Sequence, residues 1–321
     1  MSRATASERG IRIGVSSCLL GAEVRYDGGH KRSSFVVDLL GDFVEYVPVC
    51  PELESGLPVP RPAMRLVDTE GGTRLVETDS RRDHTARLEQ FSQRRVRGLE
   101  ALELCGYILK KDSPSCGFLR VKIYRSGSMP RKDGRGVFAA ALLERFPNLP
   151  VEDEGRLNDP ALRENFIERV FAYRRLRDLF RPRWTRGELV AFHTAHKLQL
   201  MAHSTPAYRA LGRLVAGVKQ HARDDFEARY GAAFMQAFAQ TATRGRNTNV
   251  LQHAAGHLKQ LDAAARAELS DLIHDYRIGL VPLVVPVTLL RHHARAAGVE
   301  YLNGQTYLEP HPKELMLRNH V

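Results

Sequence analysis

Three of the four cysteines in this 321-residue chain stand where short apolar runs end. Cys18 follows IRIGVSS, Cys50 follows FVEYVPV, and Cys116 comes shortly after GYILKKDSPS. If those runs are parallel strands the thiols gather at one sheet edge, because neighbouring strands lie about 4.8 Å apart. Three thiolates at the carboxyl ends of a sheet hold a soft metal or an iron-sulfur cluster, and the lack of a fourth protein ligand leaves a coordination position for substrate. Pro51 stiffens the turn after Cys50, and Gly117 lets the backbone after Cys116 pass close to a bulky inorganic core. Zinc also takes thiolates, but structural zinc sites usually pair their ligands as C-x-x-C, and no such pair occurs. Burial as small hydrophobes at strand ends is the other reading of the same positions. Cys105, at the start of its strand and away from the other three, reads as core.

Polar groups crowd the same segments. Ser16 and Ser17 precede Cys18, Arg25-Tyr26-Asp27-Gly28 comes soon after it, Glu52 lies two residues past Cys50, and Asp112-Ser113-Pro114-Ser115 leads into Cys116. Glu52 is the candidate general acid or base, with a helix N-terminal charge or a loop ion pair as its plainer reading. Ser113 is the candidate for holding substrate or delivering a proton, although serine before proline is also an ordinary turn residue. Ser17, Arg25, Asp27 and Arg61 are the substrate-binding candidates.

The elements that must position these residues follow from periodicity. Residues 11 to 17 and 43 to 50 read as strands, Asp83 to Leu104 as a helix, Tyr107 to Leu109 as a strand, Gly134 to Phe146 as a helix and Leu149 to Val151 as a last short strand. Alternating strands and helices imply an α/β domain over residues 1–157, with a mostly parallel, Rossmann-like sheet and flanking helices. From residue 158 to 321 nearly every segment has a helical period, so the second domain is expected to be all-α. Those helices are expected at Glu164–Phe180, Arg186–Ala202, Pro206–Val218, Asp224–Thr241, Thr248–Leu261, Ala264–Tyr276 and Pro286–Ala297.

Composition bounds the function. Four cysteines are too few for a disulfide scaffold, which leaves metal binding or catalysis as their leading use. The amino-terminal MSRATASERG lacks a signal-peptide core and no run reaches the roughly 18 apolar residues of a membrane span, so a cytoplasmic protein is expected. The formal charge of +11 points to a polyanionic partner, with scattered solvated arginine as the alternative. Most of that excess lies in the helical half, where residues 157 to 321 carry 23 Lys and Arg against 15 Asp and Glu. Arg244-Gly245-Arg246-Asn247 at a helix start, with Lys197, Arg209, Arg213, Lys219, Arg291 and Arg295, is the candidate phosphate-tracking surface. His193 with His196, and His253 with His257, share helix faces; packing, RNA contact and a metal site are all readings of them.

The segments SSCLLG with VRYDG, VPVCPELESGLPVPR and KKDSPSCG resemble the thiouracil desulfidase family over roughly residues 11 to 155. The helical half, through FHTAHKLQLMAHS, NVLQHAAGHLK, GLVPLVVPVTLLRHHAR and YLNGQTYLEPHPKELMLRN, resembles the helical domain found fused to that family. Together they look like the bacterial transfer-RNA 4-thiouridine desulfidases. The resemblance implies a 4Fe-4S cluster held by Cys18, Cys50 and Cys116 with one open iron, roles near the reacting carbon for Glu52 and Ser113, and tRNA as partner and substrate. A thiocarbonyl sulfur is a soft donor suited to that iron. Water activated by Glu52 and oriented with Ser113 would then replace sulfur by oxygen, without added reductant, giving uridine and sulfide. A desulfidase of free thiouracil bases or thionucleosides is the first alternative. A nucleic-acid-binding protein with a structural or redox-sensing cluster is the second, and a zinc-dependent hydrolase the third.

Overall fold

The structure, a computed structural model, describes residues 10–125 and 127–320. The chain divides into two compact units, Met1–Asp159 and Pro160–Val321. In the first, the elements run β1 (Arg12–Ser16), β2 (Glu45–Val49), α1 (Pro51–Glu54), β3 (Met64–Thr69), β4 (Gly72–Glu77), α2 (Thr85–Glu100), β5 (Gly106–Leu109), β6 (Val121–Tyr124), β7 (Arg131–Gly134), α3 (Val137–Arg145) and β8 (Val151–Asp153).

Four of these strands form a wholly parallel sheet in the order β2-β1-β5-β8. β5 is buried at all four positions, as a central strand covered on both faces must be. Gly14 in β1 is required by packing: a Cβ there would lie 2.2 Å from the ring of Tyr107 on the neighbouring strand. Tyr107 in turn packs on Phe138 of α3 at 5.8 Å between ring centroids. The expected α/β architecture is therefore present.

A second four-stranded sheet, ordered β4-β3-β6-β7, accompanies it. Here β3 with β4 and β6 with β7 are antiparallel, while β3 with β6 is parallel. The sequence pattern predicts one mostly parallel sheet, and this mixed sheet is the correction. Leu66 of β3, Leu75 of β4, and Val121 and Ile123 of β6 are buried in one cluster, whereas β7, Arg-Lys-Asp-Gly, is defined by backbone pairing alone.

The second unit is helical: α4 (Pro160–Leu179), α5 (Arg186–Ala195), α6 (Lys197–His203), α7 (Thr205–Ala216), α8 (Arg223–Phe238), α9 (Arg244–Ala255), α10 (Ala263–Ile278), α11 (Val284–Ala296) and α12 (Glu300–Asn303). One core gathers Leu176, Trp184, Leu211, Phe226, Tyr230 and Phe234; a second gathers Leu198, Leu251, Ile273, Val287, Leu290 and Tyr307. The single helix expected over Arg186–Ala202 is broken at His196. Gln305 enters the break, accepting the Leu198 N–H at 3.1 Å and donating to the Thr194 carbonyl at 2.8 Å, while the Thr306 N–H caps the Ala195 carbonyl at 2.9 Å. The backbone groups freed by the break are thus satisfied by a distant segment, which no local pattern signals. No helix among the described residues is long and apolar enough to cross a membrane.

Candidate active site

Cys18, Cys50 and Cys116 all line one cavity of about 420 Å³ in the first unit. Each arrives from the carboxyl end of a strand of the parallel sheet. β1 leads directly into a single 3₁₀ turn, Ser17–Leu20, that carries Cys18; β2 ends at Val49, immediately before Cys50; β5 leads through a loop to Cys116. Ser16, at the end of β1, ties two of these ends together: its Oγ accepts the Lys110 N–H at 3.0 Å and its hydroxyl also engages the Cys116 thiol. Cys105 is fully buried and is not among the residues lining the cavity.

The Cys116 loop is fixed by Ser113, whose Oγ accepts the N–H of Cys116 at 3.0 Å and of Ser115 at 3.2 Å. The loop then packs on the start of α3, where the Gly136 N–H donates to the Gly117 carbonyl at 2.6 Å and the Phe138 N–H to the Ser115 carbonyl at 2.9 Å. A Cβ at Gly136 would stand 2.5 Å from Ser115 backbone atoms, so the close approach depends on glycine.

Glu52 projects from the single turn of α1 and is engaged at both carboxylate oxygens. Its Oε1 accepts the Ser115 hydroxyl at 2.8 Å, and its Oε2 accepts the Arg61 Nε at 2.8 Å and pairs with Nη2 of the same guanidinium. Arg61 is buried and also donates to the carbonyls of Pro58 and Val24, at 3.1 and 3.0 Å. It thus orients Glu52 as well as lining the cavity.

Ser17 and Arg25 line the cavity too, whereas Asp27 does not. Asp27 is exposed and accepts from Arg25 Nε and Nη2, each at 3.2 Å, which places it behind Arg25 and fixes that guanidinium's direction. Lys31, Lys110 and Lys111, which residue spacing does not single out, also line the cavity. Lys110 is ion-paired with Glu154. Ser115 is a further site residue beyond the sequence expectations, and the repeated serine of SPSC is the signal that could have found it.

Burial pushes the Cys18 thiol up to about 11, with Lys110 acting in the opposite direction. Cys50 and Cys116 are also raised by burial, Cys116 strongly. The Cys116 thiol is influenced by both other thiols. None of the cysteines is in a disulfide.

Among the described residues, the His, Cys, Asp and Glu groups whose ligand atoms all fall within 4.8 Å of one another are Glu164, Glu168 and His311. At least one pair of the three cysteine sulfurs therefore stands more than 4.8 Å apart, wider than the roughly 3.8 Å between thiolates on a single tetrahedral zinc. Three thiols on one cavity at that wider spacing fit a soft core of several atoms.

In the helical unit His193 and His196 are buried packing elements, whereas His253 and His257 are exposed. His193 Nδ1 meets the Tyr230 hydroxyl at 3.1 Å, and His196 Nδ1 meets the Phe192 carbonyl at 2.8 Å. The His257 ring packs between those of His253 and Tyr301. Several candidate phosphate contacts also have internal partners. Arg246 donates to the His203 carbonyl, Arg244 lies over the Tyr276 ring, and Arg291 and Arg295 both pair with Glu309.

Comparison with known proteins agrees with this division. The family model described as 2-thiouracil desulfurase matches residues 13–154, and one described as a protein of unknown function, DUF1722, matches residues 197–312. The uncharacterized protein YbgA of Escherichia coli (strain K12) is 35% identical over 158 residues, covering 49% of this chain and 94% of YbgA. The uncharacterized protein YbbK of Bacillus subtilis (strain 168) is 34% identical over 151 residues, covering 45% of this chain and 97% of YbbK. The chain belongs to the 2-thiouracil desulfurase family. In this member the family region is joined to a DUF1722 region. Among solved structures, the 4Fe-4S-dependent thiouracil desulfidase TudS is 33% identical, with a TM-score of 0.38, over 48% of this chain and 97% of that one.

Proposed function

We propose that this protein is a cytoplasmic tRNA 4-thiouridine desulfidase, replacing the sulfur of a thiolated uridine by oxygen and releasing sulfide without net electron transfer. The observation that carries the reading is the convergence of Cys18, Cys50 and Cys116 with Glu52 and Ser113 on one cavity. Membership of the 2-thiouracil desulfurase family supports removal of sulfur from a pyrimidine. A reducing compartment suits unpaired thiols.

Cys18, Cys50 and Cys116 would hold a 4Fe-4S cluster. When bound, the cluster supplies a soft Lewis-acidic iron without a protein ligand, which polarises a thiocarbonyl. The remaining work falls to the chain's own groups. Because Ser113 Oγ accepts two backbone N–H groups, its own proton is left to donate into the cavity. Glu52, held by Arg61 and Ser115, offers a fixed acceptor for the proton of the attacking water. Arg25, Lys31 and Lys111 line the cavity with positive charge, which favours a phosphate-bearing substrate over a free neutral base. A base stacked in an RNA duplex could not reach such a recess, so the target nucleotide must be unpaired or turned out of its stack.

The test is to purify the protein anaerobically, incubate it with bulk tRNA, and quantify 4-thiouridine by nucleoside mass spectrometry for wild type and Cys116→Ala. Loss of 4-thiouridine only with the wild type is expected. Unchanged 4-thiouridine with cluster-replete wild type would sink the reading. Conversion of free 4-thiouridine but not of tRNA would transfer it to thionucleosides.

A further inference from the structure

In the helical unit a groove of about 660 Å³ runs between α9 and α10. Its floor is apolar, formed by Leu258, Leu269 and Ile273, and its walls carry Lys259, Arg266, His274 and Arg277 with no carboxylate among the lining residues. This arrangement is built into α10. At 3.6 residues per turn, Arg266, Ser270, His274 and Arg277 fall within about 80° of arc on one side of the helix. Glu268, Asp271 and Asp275 fall on the opposite side. The acidic residues that balance α10 overall are therefore turned away from the groove.

The cations differ in how far they are already used. Arg266 Nη2 donates to the Leu261 carbonyl at 3.1 Å and bears on that of Lys259 at 3.4 Å, bracing the loop that closes one end of the groove. Lys259 and Arg277 pair with no carboxylate among the described residues. They contrast with Arg246, Arg291 and Arg295, whose charges are met by a carbonyl or by Glu309. Exposed cations facing an apolar floor suit an anionic polymer whose phosphates meet the walls and whose sugars or bases cover the floor.

We propose that the α9–α10 groove is where the helical unit holds its RNA substrate, with Lys259 and Arg277 meeting its phosphates. This rests on the tRNA reading above. The occupant is chosen by charge: an uncharged peptide or acyl chain would leave both cations without a counterion.

The experiment measures binding of bulk tRNA to the full-length protein by fluorescence anisotropy across a salt series. It compares wild type, Lys259→Glu/Arg277→Glu, and Arg87→Glu/Arg94→Glu at two exposed positions of α2, which changes net charge equally outside the groove. The groove pair is expected to weaken binding at least tenfold and to lower the salt slope by about two, one for each phosphate left without its cation. The α2 pair is expected to stay within threefold. Equal weakening by both pairs would show that binding reads total charge and would overturn the groove. Unchanged affinity in the groove variant would overturn it while leaving the tRNA reading intact, whereas no tRNA binding by wild type would remove both. Competition by polyglutamate at tRNA-like concentrations would assign the groove to an acidic polypeptide instead. If circular dichroism shows that the charge-reversed pair is unfolded, Lys259→Gln/Arg277→Gln serves in its place, with at least a threefold loss expected.

Discussion

The Ser115 hydroxyl donates to Glu52 Oε1 at 2.8 Å, joining the loop that carries Cys116 to the turn that follows Cys50. With Arg61 on the other oxygen, Glu52 is held from two directions. Hydrogen bonds to a charged group are worth about 1.5–3 kcal/mol. Ser115→Ala should therefore lower turnover by about tenfold or more while leaving iron content unchanged. Parallel measurement of iron per chain and desulfuration rate checks this. A variant that keeps full turnover would show that Glu52 needs no such support.

Gly136 holds the Cys116 loop in a different way, by having no side chain. Its missing Cβ would stand 2.5 Å from the Ser115 carbonyl group and 2.9 Å from Cys116 N. Those neighbours are backbone and cannot swing aside, so Gly136→Ala should push the loop out and cost about 1–3 kcal/mol of stability. Reduced iron incorporation and a lower melting temperature are expected together. Normal iron loading with unchanged melting would mean that the loop absorbs the methyl group freely.

The parts of this molecule visible in the sequence are those written in apolar periodicity. The runs before Cys18 and Cys50 are strands, and α2 lies inside the stretch expected from Leu88, Phe91, Val96, Leu99 and Leu102; the first four are buried, while Leu102 lies past the helix end and is half-buried. β7 carries no such signal, because three of its four residues are exposed and only its backbone pairs with β6. The hairpin β3–β4 did carry one in Glu70-Gly71-Gly72, where Gly72 takes φ +100° at the turn. α9 begins four residues earlier than its apolar pattern does, since Thr243 accepts the Arg246 N–H and caps a wholly polar first turn. Within the site, residue types and strand ends pointed to the three thiols and Glu52. That Arg61 orients Glu52 and that Asp27 lies behind Arg25 depend on loop paths that spacing does not encode.

Burial against Phe192 and Phe234 pushes His196 down to about 3, and burial pushes His193 down to about 4. Both rings are neutral in the folded chain at pH 5, whereas in the unfolded chain they titrate near 6.5. Below 6.5 the unfolded state takes up protons that the fold refuses. The stability held by the neutral rings is thus complete above pH 6.5 and is lost as pH falls toward the folded values. For His196 the slope is about 1.4 kcal/mol per pH unit. Urea unfolding at pH 7, 6 and 5 should show this decline, and His196→Phe should make it shallower, with the His193 share remaining. An equally steep decline in the variant would exclude His196 as its source.

Arg318 lies between two glutamates of α4, with Nη2 on Glu168 Oε1 at 2.6 Å and Nε on Glu164 Oε1 at 3.1 Å. On the far side of Glu168, His203 Nε2 stands 2.9 Å from Oε2, while its Nδ1 faces the Gln240 carbonyl at 2.6 Å. Both ring nitrogens thus face acceptors, so the ring ties Glu168 to the Gln240 backbone. Burial alone would raise Glu168, but the Arg318 charge and the hydrogen bond from His203 outweigh it and hold the carboxyl well below the usual carboxylate range. Removing one member of such a group strands the others without water. Arg318→Met is therefore expected to cost about 3–5 kcal/mol in urea unfolding. Arg318→Met/Glu168→Leu should cost less than the sum of the two single changes, because each substitution removes the charge that the other leaves unpaired. Strictly additive losses would mean that the two side chains do not share one network.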